Sequence, residues 1–131
     1  MNESAWGPHT AEVAVVCCVD DRIQEAAAQY VRTRLSPRSF WYALPGGALA
    51  VADHWAMLSQ ALRSAVTHGV KRIAVIAHTD CAAFPSFPND EEELRAHRES
   101  LLAARSLLQR EFAGIEVICI LLRGRWQVEE V

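Results

Sequence analysis

The sequence predicts an α/β protein built on a mainly parallel β-sheet flanked by helices on both faces. Three observations predict it. Apolar runs rich in β-branched residues lie at Glu12 to Cys18, Lys71 to Ala77 and Ile115 to Leu122, without the alternation of a half-exposed sheet, as expected of strands buried on both faces. Segments with helical apolar spacing separate them, and the joining loops are short, which favours right-handed crossovers and parallel strands. The 131 residues suffice for one domain, residues 1–131, that buries about two thirds of its unfolded surface.

The elements follow in order. Glu12 to Cys18 forms the first strand, broken by the charges of Val19-Asp20-Asp21-Arg22. From Arg22 to Arg34, residues Ile23, Ala26, Ala27, Tyr30 and Val31 recur at helical spacing until Ser36-Pro37 stops them. Asp21, with Gln24 three residues on, is expected to cap this helix. Ser39 to Leu44 reads as a short second strand ended by Pro45-Gly46-Gly47. Trp55, Leu58, Leu62 and Val66 make one stripe over Asp53 to His68, with Gly69 as the C-terminal stop. Lys71 to Ala77 is a buried strand, and Asn89 opens an acidic, solvated helix start that runs to Phe112. Ile115 to Leu122 is the last central strand, with Arg123 to Val131 as a further edge strand.

Composition excludes several function classes. A net charge of −3 with 22% charged residues offers no basic field for nucleic acid or anionic membrane. The longest apolar stretch is far short of the roughly 20 residues that cross a bilayer. Met1 to Thr10 lacks the features of a secretory leader, so the expected location is the cytoplasm. Four cysteines in such a chain are expected as reduced thiols, some of them metal ligands.

Chemistry concentrates at two strand ends. Cys18-Val19-Asp20-Asp21-Arg22 supplies a thiol, two carboxylates and a guanidinium, and His78-Thr79-Asp80-Cys81 supplies an imidazole and a second thiol. In a parallel sheet both ends point the same way, so the clusters can meet. Two thiolates and an imidazole, Cys18, Cys81 and His78, suit a tetrahedral zinc ion, Zn2+, because soft sulfur and borderline nitrogen match its preference. Either half alone is weak, since a single buried cysteine is usually packing.

Cys-x-Asp-x-Arg at one strand end and His-x-x-Cys at the next but one, with one βα unit between, resembles the β-class carbonic anhydrases over about Val13 to Leu122. The resemblance implies Cys18, His78 and Cys81 as zinc ligands, with Asp20 and Arg22 as the catalytic pair in which the arginine holds the carboxylate off the metal. Three protein ligands with a fourth position open to water mark a catalytic rather than a structural zinc site. The implied reaction is the reversible hydration of carbon dioxide to bicarbonate by hydroxide formed at the zinc, a lyase activity, in a homodimer or higher homo-oligomer. The chain departs from the family at Ala43-Leu44-Pro45, where an Arg-Asn-Ala stretch is usual, and at Ala77 and Ala82, where glycine is common.

Two alternatives stand beside this reading: a non-catalytic zinc-binding relative with a folding, assembly or sensing role, and a hydrolase of a sulfur analogue of carbon dioxide. A thiol enzyme using Cys18 fits less well, because the turn before Arg22 is too short to cradle a phosphate. Cys17 is expected on the sheet face opposite Cys18, and Cys119 inside the last strand, both as buried small hydrophobes. His54 reads as a surface histidine rather than a proton relay, and His9, His68 and His97 have no motif around them. Trp41, Trp55 and Trp126 read as core or interface anchors. Gly46-Gly47 reads as a turn, and Phe84 to Pro88 as a wall or lid beside the site.

Overall fold

The computed structural model describes residues 5–124 and 126–131. Residues 1–4 of the segment read for a leader, and Arg125 within the expected edge segment, lie outside the described residues.

The apolar runs form strands because their side chains are covered on both faces. β1 (Val13–Cys17) is wholly buried, β3 (Arg72–His78) is buried beyond its first residue, and β4 (Glu116–Gly124) is buried at its centre. With β2 (Ser39–Ala43) and β5 (Gln127–Glu130) they make one five-stranded sheet in the order β2-β1-β3-β4-β5. The first four strands are parallel, and β5 is an antiparallel edge joined through a bulge near Leu122 and Gly124. The expected edge strand is thus present but confined to four residues.

Helices cover both faces, unequally. α1 (Gln24–Arg34) seals one face with Ala27 and Val31 against Val13, Val15, Ile76 and Ile120. The other face carries α2 (Ala48–Asp53), α3 (Trp55–Thr67) and α4 (Asp90–Glu111), whose Val51, Leu58, Leu62, Leu101 and Leu108 pack on Val16, Ile73, Val75 and Leu121. Asn89 caps α4 by accepting a hydrogen bond from Glu92 N at 2.9 Å, and four carboxylates occupy its first turn. Cys17 and Cys119 are fully buried on opposite faces. Burial pushes the Cys17 thiol up to about 12, with Cys18 adding to the effect.

Two expectations need correction. The segment Ala48 to Asp53 is helical, and His54, which is exposed, breaks it from α3 instead of lying inside one helix start. Its small residues fit closely against the sheet, a packing that six residues of periodicity do not reveal. Asp21 does not cap α1: Ile23 takes the cap position without a side-chain bond. The Gln24 amide turns back to donate to Cys18 O at 2.7 Å and Asp20 O at 2.8 Å, so the pair that would have formed a capping box ties down the loop after β1 instead.

Gly47 sits between strand ends in a left-handed conformation, φ +53°. A Cβ there would lie 2.6 Å from Ile76 O and 3.1 Å from Cys18 N, so the turn after β2 packs directly on the backbone of β1 and β3. Gly47→Ala is expected to cost about 2–4 kcal/mol, from the left-handed penalty plus overpacking, read as a lower urea midpoint. At the other edge, Arg98 of α4 grips Glu129 of β5 through two bonds of 2.6 and 2.7 Å. These bonds hold the Glu129 carboxyl below its ordinary range. A depressed carboxylate contributes stability above its unfolded value and loses it as pH falls through the folded one. Arg98→Ala is therefore expected to lower the urea midpoint near neutral pH, by the small amount of a partly exposed pair. Paired urea titrations should show that gap closing in acid.

Candidate metal centre

The sheet topology creates the site. β1 has β2 on one side and β3 on the other, and the chain leaves β1 toward α1 on one face but leaves β3 toward α4 on the other. A crevice opens between such loops at the C-terminal strand ends. In the register, Cys17 lies opposite Ile76, which puts Cys18 opposite Ala77, one residue from His78, and the turn after β3 brings Cys81 back beside them.

Cys18, His78 and Cys81 form the one group among the described residues able to hold a metal ion, with ligand atoms all within 4.8 Å of one another. The two sulfurs are 3.9 Å apart. His78 is 3% exposed, and its Nδ1 donates to Thr79 O at 2.7 Å, which leaves the Nε2 lone pair facing the thiols. Nε2 is buried and has no hydrogen-bond partner, an uncommon state for a buried polar atom. Burial pushes the Cys81 thiol up, and the neighbouring Cys18 adds to this. Crowded thiols beside an unpartnered imidazole nitrogen are a donor set that a soft cation satisfies, and zinc fits it. The imidazole orientation set through Nδ1 is the outer-shell support that metal-binding histidines usually have.

Asp20 and Arg22 stand at the rim. Arg22 Nε donates to Asp20 Oδ1 at 3.0 Å, Nη2 donates to Oδ2 at 2.6 Å, and Arg22 N donates to Oδ1 at 2.8 Å. These bonds, side chain first, lower the Asp20 carboxyl to about 2. Its Oδ2 lies 3.7 Å from His78 Nε2, near the donor set yet turned into the guanidinium fork. A cleft of about 270 Å³ opens here, lined by Cys18, Asp20, Arg22, Pro45, Gly46 and Ala82 among others. The Ala43-Leu44-Pro45 departure and Ala82 thus face or flank a small, weakly polar space.

All five residues singled out in the sequence come together. Three further groups join them. Arg22 Nη1 donates to Asp80 Oδ2 and Nη2 to Asp80 O, both at 2.9 Å. Glu93 Oε2 accepts from Asp80 N at 2.8 Å, so the acidic start of α4 is more than a solvated cap. His97 is fully buried against Phe84, with ring centroids 4.4 Å apart. The Phe84 to Pro88 loop therefore rests on α4 and forms a wall rather than a free lid. The acidic residue enclosed in His78-Thr79-Asp80-Cys81 was the visible signal for Asp80, whereas only the tertiary fold brings Glu93 near.

Comparisons with known proteins agree with this architecture. No curated protein matches the chain in sequence. Among solved structures, the chain is similar to the carbonic anhydrase of Streptococcus mutans, at TM-score 0.65 and 22% identity over 95% of this chain and 83% of that one. It is also similar to a carbonic anhydrase from Glaciozyma antarctica, at TM-score 0.62 and 18% identity over 94% of this chain and 83% of that one. A third similarity is to tetrameric β-carbonic anhydrases of Sordaria macrospora, at TM-score 0.61 and 16% identity over 97% and 83%. A family model described as "Putative carbonic anhydrase" matches residues 9–131, so the chain belongs to that family, as a divergent member with the β-carbonic anhydrase fold.

Proposed function

We propose that the chain is a single zinc-binding unit that hydrates carbon dioxide reversibly, with Cys18, His78 and Cys81 holding the metal and Asp20 and Arg22 serving the reaction. The observation that carries this reading is the buried, unpartnered Nε2 of His78 beside two thiols. Zinc bound there would supply a Lewis acid that makes a potent nucleophile from water.

The chain's own residues supply the rest. Asp20, kept ionised by Arg22, can only accept a hydrogen bond, so its Oδ2 is suited to orient the nucleophile's O–H and not to donate a proton. Arg22 holds both oxygens of that carboxylate and keeps it from becoming a fourth ligand. Pro45, Gly46, Ala82 and Ala83 line the cleft, and their small surfaces suit a small uncharged substrate. The four thiols are all free and buried, which suits the reducing cytoplasm. Among the described residues no helix is long and apolar enough to cross a membrane. Trp126 and Val128, 66% and 40% exposed on or beside the β5 edge, suit pairing with further copies of the chain.

Metal analysis is expected to find one zinc per chain. Substitution of Cys18, His78 or Cys81 should remove it and lower stability, since metal binding is coupled to folding. Full zinc retention in the Cys18→Ser, Cys81→Ser double variant would end the reading. As thiolates, Cys18 and Cys81 would cancel the formal charge of the ion, so hydration should rise with pH about a midpoint above the roughly 7 of three-histidine sites. Stopped-flow hydration across neutral and mildly alkaline pH checks this, and Arg22→Ala should keep zinc while losing activity. A rate flat with pH, or a fully active Arg22→Ala protein, would contradict the mechanism, and inactivity at every pH with zinc bound would favour a non-catalytic zinc protein.

A further inference from the structure

The Asp20–Arg22 pair is fixed internally but not, by its own bonds, to the metal ligands. Both residues stand on the same short loop after β1, two positions apart, so the pair can move as a unit relative to His78 and Cys81. Asp80 is the group that removes this freedom. It belongs to the turn carrying two ligands, 58 positions from Arg22, and takes the guanidinium through both its carboxylate and its carbonyl oxygen. With Asp20 on Nε and Nη2, and Asp80 on Nη1 and Nη2, all three guanidinium nitrogens are engaged.

Asp80 needs support of its own. It is the one non-glycine residue among those described with positive φ, 57°, a conformation that Asp tolerates better than most residues but does not prefer. Glu93 accepts its N–H at 2.8 Å. Glu93 is in turn placed by α4, with its Oε2 3.6 Å from the fully buried His97 Nε2. An isolated exposed ion pair such as Arg22–Asp80 contributes little, yet a charge network with backbone bonds at both ends is the case in which such pairs count.

We propose that Asp80 and Glu93 are positioning residues, forming a brace from α4 through the His78–Cys81 turn to Arg22 that sets the place of Asp20 relative to the metal ligands. This rests on the zinc reading above, and the experiment separates the two. Asp80→Ala, Asp80→Asn and Glu93→Gln are prepared with zinc and with cobalt(II), whose visible absorption reports the number and type of metal ligands. Asp80→Ala is expected to retain one metal per chain, to lose about 10- to 100-fold in kcat, as outer-shell variants do, and to shift its cobalt spectrum toward that of Arg22→Ala. Asp80→Asn keeps an oxygen acceptor and tolerates positive φ, and Glu93→Gln keeps an acceptor for Asp80 N–H, so both should stay within a few-fold of native kcat and keep the native spectrum. A native spectrum in Asp80→Ala overturns the brace whatever the rate, as do equal losses in Asp80→Ala and Asp80→Asn. If the native chain binds cobalt but never hydrates carbon dioxide, the functional reading fails while the spectra still decide the brace. A chain that takes up no cobalt overturns both.

Discussion

In the parallel ladder of β1 and β3, Cys17 lies opposite Ile76, so that Cys18 leaves the sheet opposite Ala77, one residue from His78, at its C-terminal edge. A slip of one residue would turn every side chain of the strand to the other face, placing Cys18 with Cys17's present neighbours beneath α1. Burial on both faces excludes that slip, because Val13, Val15 and Cys17 fill one core while Ala14 and Val16 fill the other. The Gly47 turn reinforces the register by packing on Ile76 O and Cys18 N. The geometry of the candidate metal site is thus a consequence of hydrophobic packing some distance below it.

Above that floor, the polar groups form a connected system instead of independent pairs. Gln24 ties the carbonyls of Cys18 and Asp20, Arg22 spans Asp20 and Asp80, and Glu93 reaches the Asp80 amide. The loops after β1 and β3 are each held by a residue from a helix, Gln24 of α1 and Glu93 of α4, which gives short loops the rigidity of the helices behind them. Asp20 is 13% exposed in its side chain while Asp80 is 86% exposed. The carboxylate that faces the donor set is the shielded one, and the carboxylate that braces it stands outward.

The two sheet faces carry different loads. Among the described residues three helices cover one face and α1 alone covers the other, while the antiparallel β5 ends the sheet and leaves Val128 partly exposed. The same architecture recurs in carbonic anhydrases at 16–22% identity. Cores of the right pattern and volume tolerate extensive substitution, so apolar spacing and strand order outlast most individual residues.

The sequence by itself determined the alternation of strands and helices, the buried character of β1, β3 and β4, the acidic N-terminal end of α4 and the cluster of Cys18, Asp20, Arg22, His78 and Cys81. These are legible because apolar periodicity is local and because two chemical motifs at parallel strand ends converge whatever the details of packing. Only the tertiary structure decided the fate of Asp21, Gln24, Asp80 and Glu93. Asp21 and Gln24 have the spacing of a capping box, yet the amide of Gln24 bonds the Cys18 and Asp20 carbonyls in the loop after β1, and satisfying partly buried backbone acceptors outweighs a cap exposed to water. The helix at Ala48–Asp53 was likewise invisible, being too short for periodicity and stable only through its contacts. Asp80 and Glu93 owe their roles to hydrogen bonds 58 and 13 positions apart in the chain, a proximity that no local signal encodes and that the crossing of α4 over the strand ends creates.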